Sequence, residues 1–341
     1  MKLPVAICGA TGSVGQYFIS LLANHPYFKT VLLTASRDYE SNYTMHWRAS
    51  LKPPAKLHSL PIVKTTVANI KKSGARIVFS ALPSGVALNF EKELVEAGIA
   101  VFSNASAYRM DKNIPILIPE INSNHLNLIP KGTTPHITNS NCTTSGLALT
   151  LSALKPLGIK QVYLSTYQAL SGAGYPGVAS MDILGNVIPH IAGEEGKIRE
   201  ETLKILGDYK KGTITPASFE VMAQALRVAV KNGHLETVFV QVENRPKLPQ
   251  IKNLFTNYQV DAAVASLPST PKKTFYFFDN PERPQPVLDV HNGEGMGVSI
   301  GSLRIQNNTV AYKLLVNNVI RGAAGGSIQN AEYAFYKGLI H

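Results

Sequence analysis

The chain has 341 residues, is 45% hydrophobic, and carries a formal net charge of +11, which suits two domains with separate cores. Its two cysteines, Cys8 and Cys142, exclude a disulfide framework and suit a reducing compartment. No apolar run approaches the roughly 18 residues of a membrane helix, and basic residues lie dispersed or in pairs such as Lys71-Lys72. That spread disfavours a nucleic-acid arm and suits a basic surface, or a field that draws an anionic substrate and a phosphorylated cofactor.

The first seven residues run straight into an apolar strand, with no long apolar region or cleavage site. No secretory signal is therefore expected, and a cytoplasmic location follows. Residues 5–8 read as a strand, 17–23 as a helix, and 30–34, 76–82 and 99–103 as further strands, with a helix at 90–97. Strands alternating with helices predict a doubly wound parallel sheet, an α/β dinucleotide-binding domain over residues 1–140.

Between the first strand and helix lies Gly9-Ala10-Thr11-Gly12-Ser13-Val14-Gly15. In that position the glycines allow a tight turn and a close approach by a pyrophosphate seated on the helix N-terminus. An NAD site usually places an acidic side chain at the end of the second strand. Here Ser36 and Arg37 stand there, which favours the 2′-phosphate of NADP, although Asp38 and Glu40 follow. A second turn of small residues, from Ser80 to Ser84, ends a later strand and would line the same crevice.

Next comes Asn139-Ser140-Asn141-Cys142, leading into the apolar run 147–157. Small polar residues before an apolar run mark a helix N-terminus. A thiol there meets free N–H groups and the positive end of the helix dipole, so a lowered pKa and a nucleophilic role are expected.

Beyond residue 160 the texture changes. Residues 161–168, 226–230, 237–242, 298–305 and 310–316 read as strands, which predicts an α+β domain with a mixed sheet over 141–319. Leu226, Val228 and Val230 would share one face, with Arg227 pointing away. Asn232-Gly233 reads as a hairpin turn that could bring Arg227 and His234 to one crevice. Glu194 and Lys197, three apart, would share a helix face. Stretches 245–250 and 267–273 read as loops. Ile328, Ala331, Phe335 and Leu339 fall on one face of a terminal helix bracketed by Gly326 and Gly338, and residues 320–341 are expected to return to the first domain. No His/Cys/carboxylate cluster has metal-ligand spacing, so no metal is predicted.

Several separated segments together resemble the aspartate-β-semialdehyde dehydrogenases, in particular the archaeal and fungal-type branch. They are Gly9–Gly15, Ser103-Asn104-Ala105-Ser106-Ala107-Tyr108-Arg109, Asn141-Cys142-Thr143-Thr144, Gln168-Ala169-Leu170-Ser171-Gly172, Gly193-Glu194-Glu195-Gly196-Lys197, Arg227 to His234, and Arg321-Gly322-Ala323-Ala324-Gly325. The resemblance implies NADPH-dependent reduction of aspartyl phosphate to aspartate semialdehyde, for lysine, threonine and methionine synthesis. Cys142 would form a thioester, His234 would be the general acid/base, and Gln168 and Asn141 would orient the acyl group. Arg227 would clamp the substrate carboxylate, Glu194 would meet the amino group, and Lys197 and Arg109 would bind carboxylate or phosphate. Ser171, Gly172, Asn318 and Gly322 would contact the cofactor. A homodimer or homotetramer is implied, with small-molecule substrate and phosphate as the other partners and neither nucleic acid nor membrane.

Four positions depart from that pattern: Gly196, Ala229, Ser302 and Asn317. They bear on substrate and not on reaction type, and leave open a malonyl-CoA reductase. A non-catalytic NADP sensor of the same fold is the alternative from another class, and it predicts loss of Cys142, Gln168, Arg227 and His234, all present here. N-acetyl-glutamyl-phosphate reductase fits the motifs less well.

Overall fold

The structure, a computed structural model, describes residues 2–38, 47–55 and 60–341; Glu40 lies outside the described residues. Its first half runs β1 (Leu3–Cys8), α1 (Ser13–Leu22), β2 (Phe28–Ala35), β3 (Ile62–Lys64), α2 (Val67–Lys72), β4 (Ile77–Ser80), α3 (Ser84–Glu96), β5 (Ala100–Ser103), α4 (Pro119–Asn122) and β6 (His136–Thr138). The six strands form one sheet in the order β3-β2-β1-β4-β5-β6, parallel throughout. The strand order reverses between β1 and β4, so a crevice opens beyond their carboxyl ends. The alternation of strands and helices read from the sequence is present. Missing from that reading were the three-residue strands β3 and β6 and the six-residue helix α2, each too short to show a period.

The second half runs α5 (Cys142–Leu154), β7 (Ile159–Gln168), α6 (Ser180–Ile183), α7 (Glu194–Ile205), β8 (Asp208–Lys210), β9 (Thr213–Thr215), β10 (Glu220–Arg227), β11 (His234–Val242), α8 (Leu248–Thr256), α9 (Ala262–Ala265), β12 (Phe275–Phe277), α10 (Pro286–Asp289), β13 (Val298–Gln306), β14 (Thr309–Val316) and α11 (Gly325–Tyr336). A mixed sheet has the order β10-β7-β11-β14-β13-β12. Its inner face, with Val162, Leu164, Val238 and Leu314, shares a core with Leu147 and Leu151 of α5, Ile198 of α7 and Ile251 of α8.

Three details differ from the sequence reading. Strand β10 ends at Arg227, and the buried side is the one carrying Val221, Ala225 and Arg227. Helix α7 covers that side, so the alternation that matters is upstream of Leu226. The turn at Asn232-Gly233 is not a hairpin, because β10 and β11 flank β7 on opposite sides. Helix α8 begins at Leu248, inside the stretch read as a loop, because Pro249 suits a helical first turn.

The last helix also begins earlier, at Gly325, after a π-helical turn Ile320–Ala324. Gly326 is therefore inside the helix and Leu339 beyond it. Ile328, Ala331 and Ala334 pack in the same core as Val5, Ile7, Phe79 and Phe102 of the parallel sheet. Residues Gly325 to Ala334 are all buried, so this helix is enclosed on every side. No helix among the described residues is long and apolar enough to cross a membrane.

Candidate active site

The crevice beyond β1 and β4 has the chemistry of a dinucleotide site. Gly9 has φ +78°, and a Cβ there would meet the Ala81 carbonyl oxygen at 2.6 Å, so the two turns touch. A Cβ on Gly15 would fall 2.2 Å from the Gly9 oxygen, which sets helix α1 directly on the turn. Gly12 is the N-cap of α1, with no side chain capping it and no acidic residue in the first turn. The Gly12 N–H closes the turn onto the Gly9 carbonyl at 3.0 Å, and the segment Thr11, Ser13 and Val14 lies at the positive end of the helix, a fit for a pyrophosphate.

Ser36 and Arg37 are exposed just past the end of β2. Of the second turn, Ser80 is fully buried and its hydroxyl faces inward, while the Ser84 hydroxyl is 2.8 Å from that of Ser106. The Ser84 hydroxyl also accepts from the Ser106 N–H at 3.1 Å, and the Ser80 hydroxyl has no hydrogen-bond partner among the described residues. Among the described residues there is no group of three metal-ligating side chains.

Cys142 opens α5, directly after the N-cap residue Asn141. The Asn141 Oδ1 accepts from the N–H groups of Thr143 at 2.9 Å and Thr144 at 3.1 Å, and its Nδ2 donates to Glu194 at 2.8 Å. The Cys142 Sγ lies 3.2 Å from Nε2 of His234, the first residue of β11. On the other side of that ring, the Ala169 N–H donates to Nδ1 at 3.0 Å. An accepting Nδ1 in a neutral imidazole puts the proton on Nε2, where it points at the sulfur.

The remaining side chains converge from three elements. Gln168, the last residue of β7, donates to Glu194 at 3.0 Å. Arg227 ends β10 beside it, in parallel register with Gln168, and donates to the Ala169 carbonyl at 2.7 Å. Helix α7 supplies Glu194, buried, and Lys197, half-buried one turn on. Arg109, from the loop after β5, donates to Glu201 of α7 at 2.9 Å and to the Asn104 carbonyl at 2.7 Å. Its Nε is buried without a partner.

The other residues expected to contact the cofactor lie around Cys142, His234 and Arg227. Asn318 accepts from the Gly233 N–H and donates to the Ser171 hydroxyl, both at 2.8 Å. A Cβ on Gly172 would be 2.8 Å from the Arg227 Nη1. At Gly322 a Cβ would sit 2.7 Å from Cys142 Cα and Cβ, so the π-helical turn packs against the nucleophile with no room for a side chain. Asn317, one of the departures noted above, accepts from the N–H groups of Val319 and Ile320 and starts that turn.

The electrostatics overturn one expectation. Burial, and next the nearby Glu194, push the Cys142 thiol up to about 12 against the pull of Arg109 and Arg227. The N–H groups of Thr143 and Thr144 also serve the Asn141 cap, and the pull of the Thr143 N–H on the sulfur is smaller than the push of burial. Burial, reinforced by Arg227, pulls His234 down to about 3, and imidazolium would also turn an Nδ1–H against the Ala169 N–H. The resting pair is therefore a neutral thiol beside a neutral ring, not a thiolate.

Sequence reasoning missed three groups here. Glu236 lies two residues beyond His234 on the same face of β11, fully buried with both carboxylate oxygens unpartnered. Burial, and then Glu194, raise it well above the usual carboxylate range. Glu201 and Lys204 lie seven and ten residues beyond Glu194 and share its face of α7; that helical spacing was readable.

Residues 4–129 match the family model for the NAD binding domain of semialdehyde dehydrogenase, and 151–321 the model for its dimerisation domain. The chain is 42% identical to an aspartate-semialdehyde dehydrogenase of Archaeoglobus fulgidus over the whole of both chains. It is 38% identical to that of Saccharomyces cerevisiae over 99% of each. A crystal structure of the Candida albicans enzyme with NADP superimposes with a TM-score of 0.89 over all of both chains at 35% identity.

Proposed function

The chain belongs to the aspartate-semialdehyde dehydrogenase family, and from that premise we propose that it reduces L-4-aspartyl phosphate to L-aspartate 4-semialdehyde through a thioester on Cys142. NADP is the cofactor and lysine, threonine and methionine synthesis the outlet. The observation that carries the reading is the 3.2 Å approach of the Cys142 sulfur to the His234 ring, among Gln168, Arg227, Arg109 and Glu194. Under this reading residues 1–140 with 320–341 hold the cofactor, and 141–319 hold the substrate and the subunit contact, in the cytoplasm.

Arg227 clamps the substrate carboxylate with its planar fork, and Glu194 faces the amino group. Arg109 and Lys197 receive the phosphate. Cys142 attacks the acyl carbon, and the thiol proton leaves on the departing phosphate, whose oxygens become basic as the bond breaks. His234 enters as a donor: its Nε2–H steadies the sulfur anion, and later the oxygen of the reduced adduct. NADPH, when bound, supplies the hydride that reduces the thioester. Collapse of the adduct expels the aldehyde and leaves the sulfur as a thiolate on the Nε2–H, and a proton from solvent, replacing the one carried off by the phosphate, restores the thiol.

The test is an assay with purified protein, NADP, inorganic phosphate and L-aspartate semialdehyde, followed by absorbance of the reduced cofactor. Phosphate-dependent turnover is expected. Turnover of malonyl-CoA with NADPH in its place, or NADP binding without turnover of either, would overturn the assignment.

The matched dimerisation domain implies an oligomer, and we place the contact of a homodimer on the outer face of the mixed sheet. There Met222, Tyr163 and Phe239 lie in lateral register across β10, β7 and β11, all exposed. Tyr167, also exposed, pairs with Leu235 two rows on along the same face. Burying one Phe side chain is worth about 2–3 kcal/mol, and a two-fold contact counts it twice. Phe239→Glu should therefore weaken the dimer by roughly 10³-fold, read as monomer by sedimentation at micromolar concentration. An undisturbed dimer would move the contact elsewhere.

A further inference from the structure

We propose that Glu201 is a positioning residue that couples the anion-binding guanidinium of Arg109 to the nucleophile helix, giving one carboxylate oxygen to each. The inference rests on the reductase reading for what Arg109 binds. Its geometry stands apart from that reading. Glu201 Oε1 accepts from Arg109 Nη1 at 2.9 Å, and Oε2 accepts from the backbone N–H of Asn141 at 2.6 Å. Glu201 is 1% exposed, so both bonds run through a water-poor interior where charge-assisted hydrogen bonds are strong.

The three partners come from separate parts of the fold. Arg109 belongs to the loop after β5 of the parallel sheet, Asn141 stands immediately before Cys142, and Glu201 lies mid-way along α7. One turn further on, the Lys204 Nζ donates to the carbonyls of Arg109, Asp111 and Ile114 at 2.6, 2.6 and 2.8 Å. Helix α7 thus holds the Arg109 loop by its main chain and by its guanidinium.

A buried counter-charge for Arg109 would explain only half of this. The second oxygen is bound not by the guanidinium but by the backbone N–H of Asn141, the residue that caps α5. Any shift of the guanidinium when an anion arrives is passed through one rigid carboxylate to Asn141. The sulfur sits one residue on.

Two variants separate these accounts. Glu201→Gln removes the charge. Glu201→Asp keeps it but is one methylene too short to span both partners. The readouts are kcat and the KM for inorganic phosphate in the aspartate-semialdehyde direction, and the rate at which iodoacetamide alkylates Cys142 with and without inorganic phosphate.

In the wild type, phosphate should slow the alkylation. In both variants that response should disappear, and kcat/KM for phosphate should fall on the order of 10²-fold, the usual cost of a small misplacement. Glu201→Asp matching wild type in both readouts would overturn the proposal, as would tighter phosphate binding in Glu201→Gln. Should Glu201→Gln fail to fold, Glu201→Asp decides alone. If wild type turns nothing over, the reductase reading fails, yet alkylation with and without phosphate still tests the coupling.

Discussion

Cys142→Ser should lower phosphate-dependent reduction of NADP by about 10⁴-fold or more, the scale on which enzymes lose their nucleophile, while leaving NADP affinity and thermal unfolding unchanged. A serine hydroxyl is the weaker nucleophile and its ester the poorer hydride acceptor, so both halves of the reaction suffer together. The fold should hold because Asn141, not Cys142, caps α5, and the capping bonds to Thr143 and Thr144 are untouched. Turnover is read by cofactor absorbance and NADP binding by calorimetry. Activity within tenfold of wild type would remove Cys142 from the reaction path.

Alkylation of the resting enzyme should be slow and should climb with pH without levelling off. The sign follows from the two directions of shift. A thiol pushed up to about 12 holds its proton throughout the neutral range, and a ring pulled down to about 3 stays neutral over the same range. At pH 8 the thiolate fraction would be about 10⁻⁴, against about a quarter for a free thiol of pKa ≈ 8.5, so iodoacetamide should react on the order of 10³-fold more slowly than with a free cysteine. Each pH unit from 7 to 10 should raise the rate about tenfold. Cys8, buried in β1, adds no background while the protein is folded. A plateau near neutrality would instead mean a thiolate–imidazolium pair and would sink the neutral-pair description.

What the sequence carried was the chemistry of turns and of single positions. The glycines from Gly9 to Gly15 announced their strand, turn and helix because each solves a local steric problem. Cys142 was placed at a helix N-terminus by the polar residues ahead of it. Arg227 does lie on the face opposite Leu226, as the alternation implied, but the strand stops at Arg227 and not at Val230 because its partner β7 ends at Gln168, an end that the alternation does not show. Glu201 and Lys204 escaped notice because what they hold, the Arg109 guanidinium, the Asn141 N–H and the carbonyls of the Arg109 loop, lies some sixty or more residues away in the chain and is mostly backbone, which leaves no mark in a sequence. The resting charge of Cys142 was the largest miss. Helix-end arguments are local, whereas desolvation depends on everything that closes over the sulfur.

The contact between Gly322 and Cys142 limits what position 322 can be. The chain that recrosses to the parallel sheet passes so near the nucleophile that a Cβ there would fall 2.7 Å from both Cα and Cβ of Cys142. Any side chain at 322 has to displace the residue that carries the sulfur, so the path of the returning chain and the place of the reacting atom are set together.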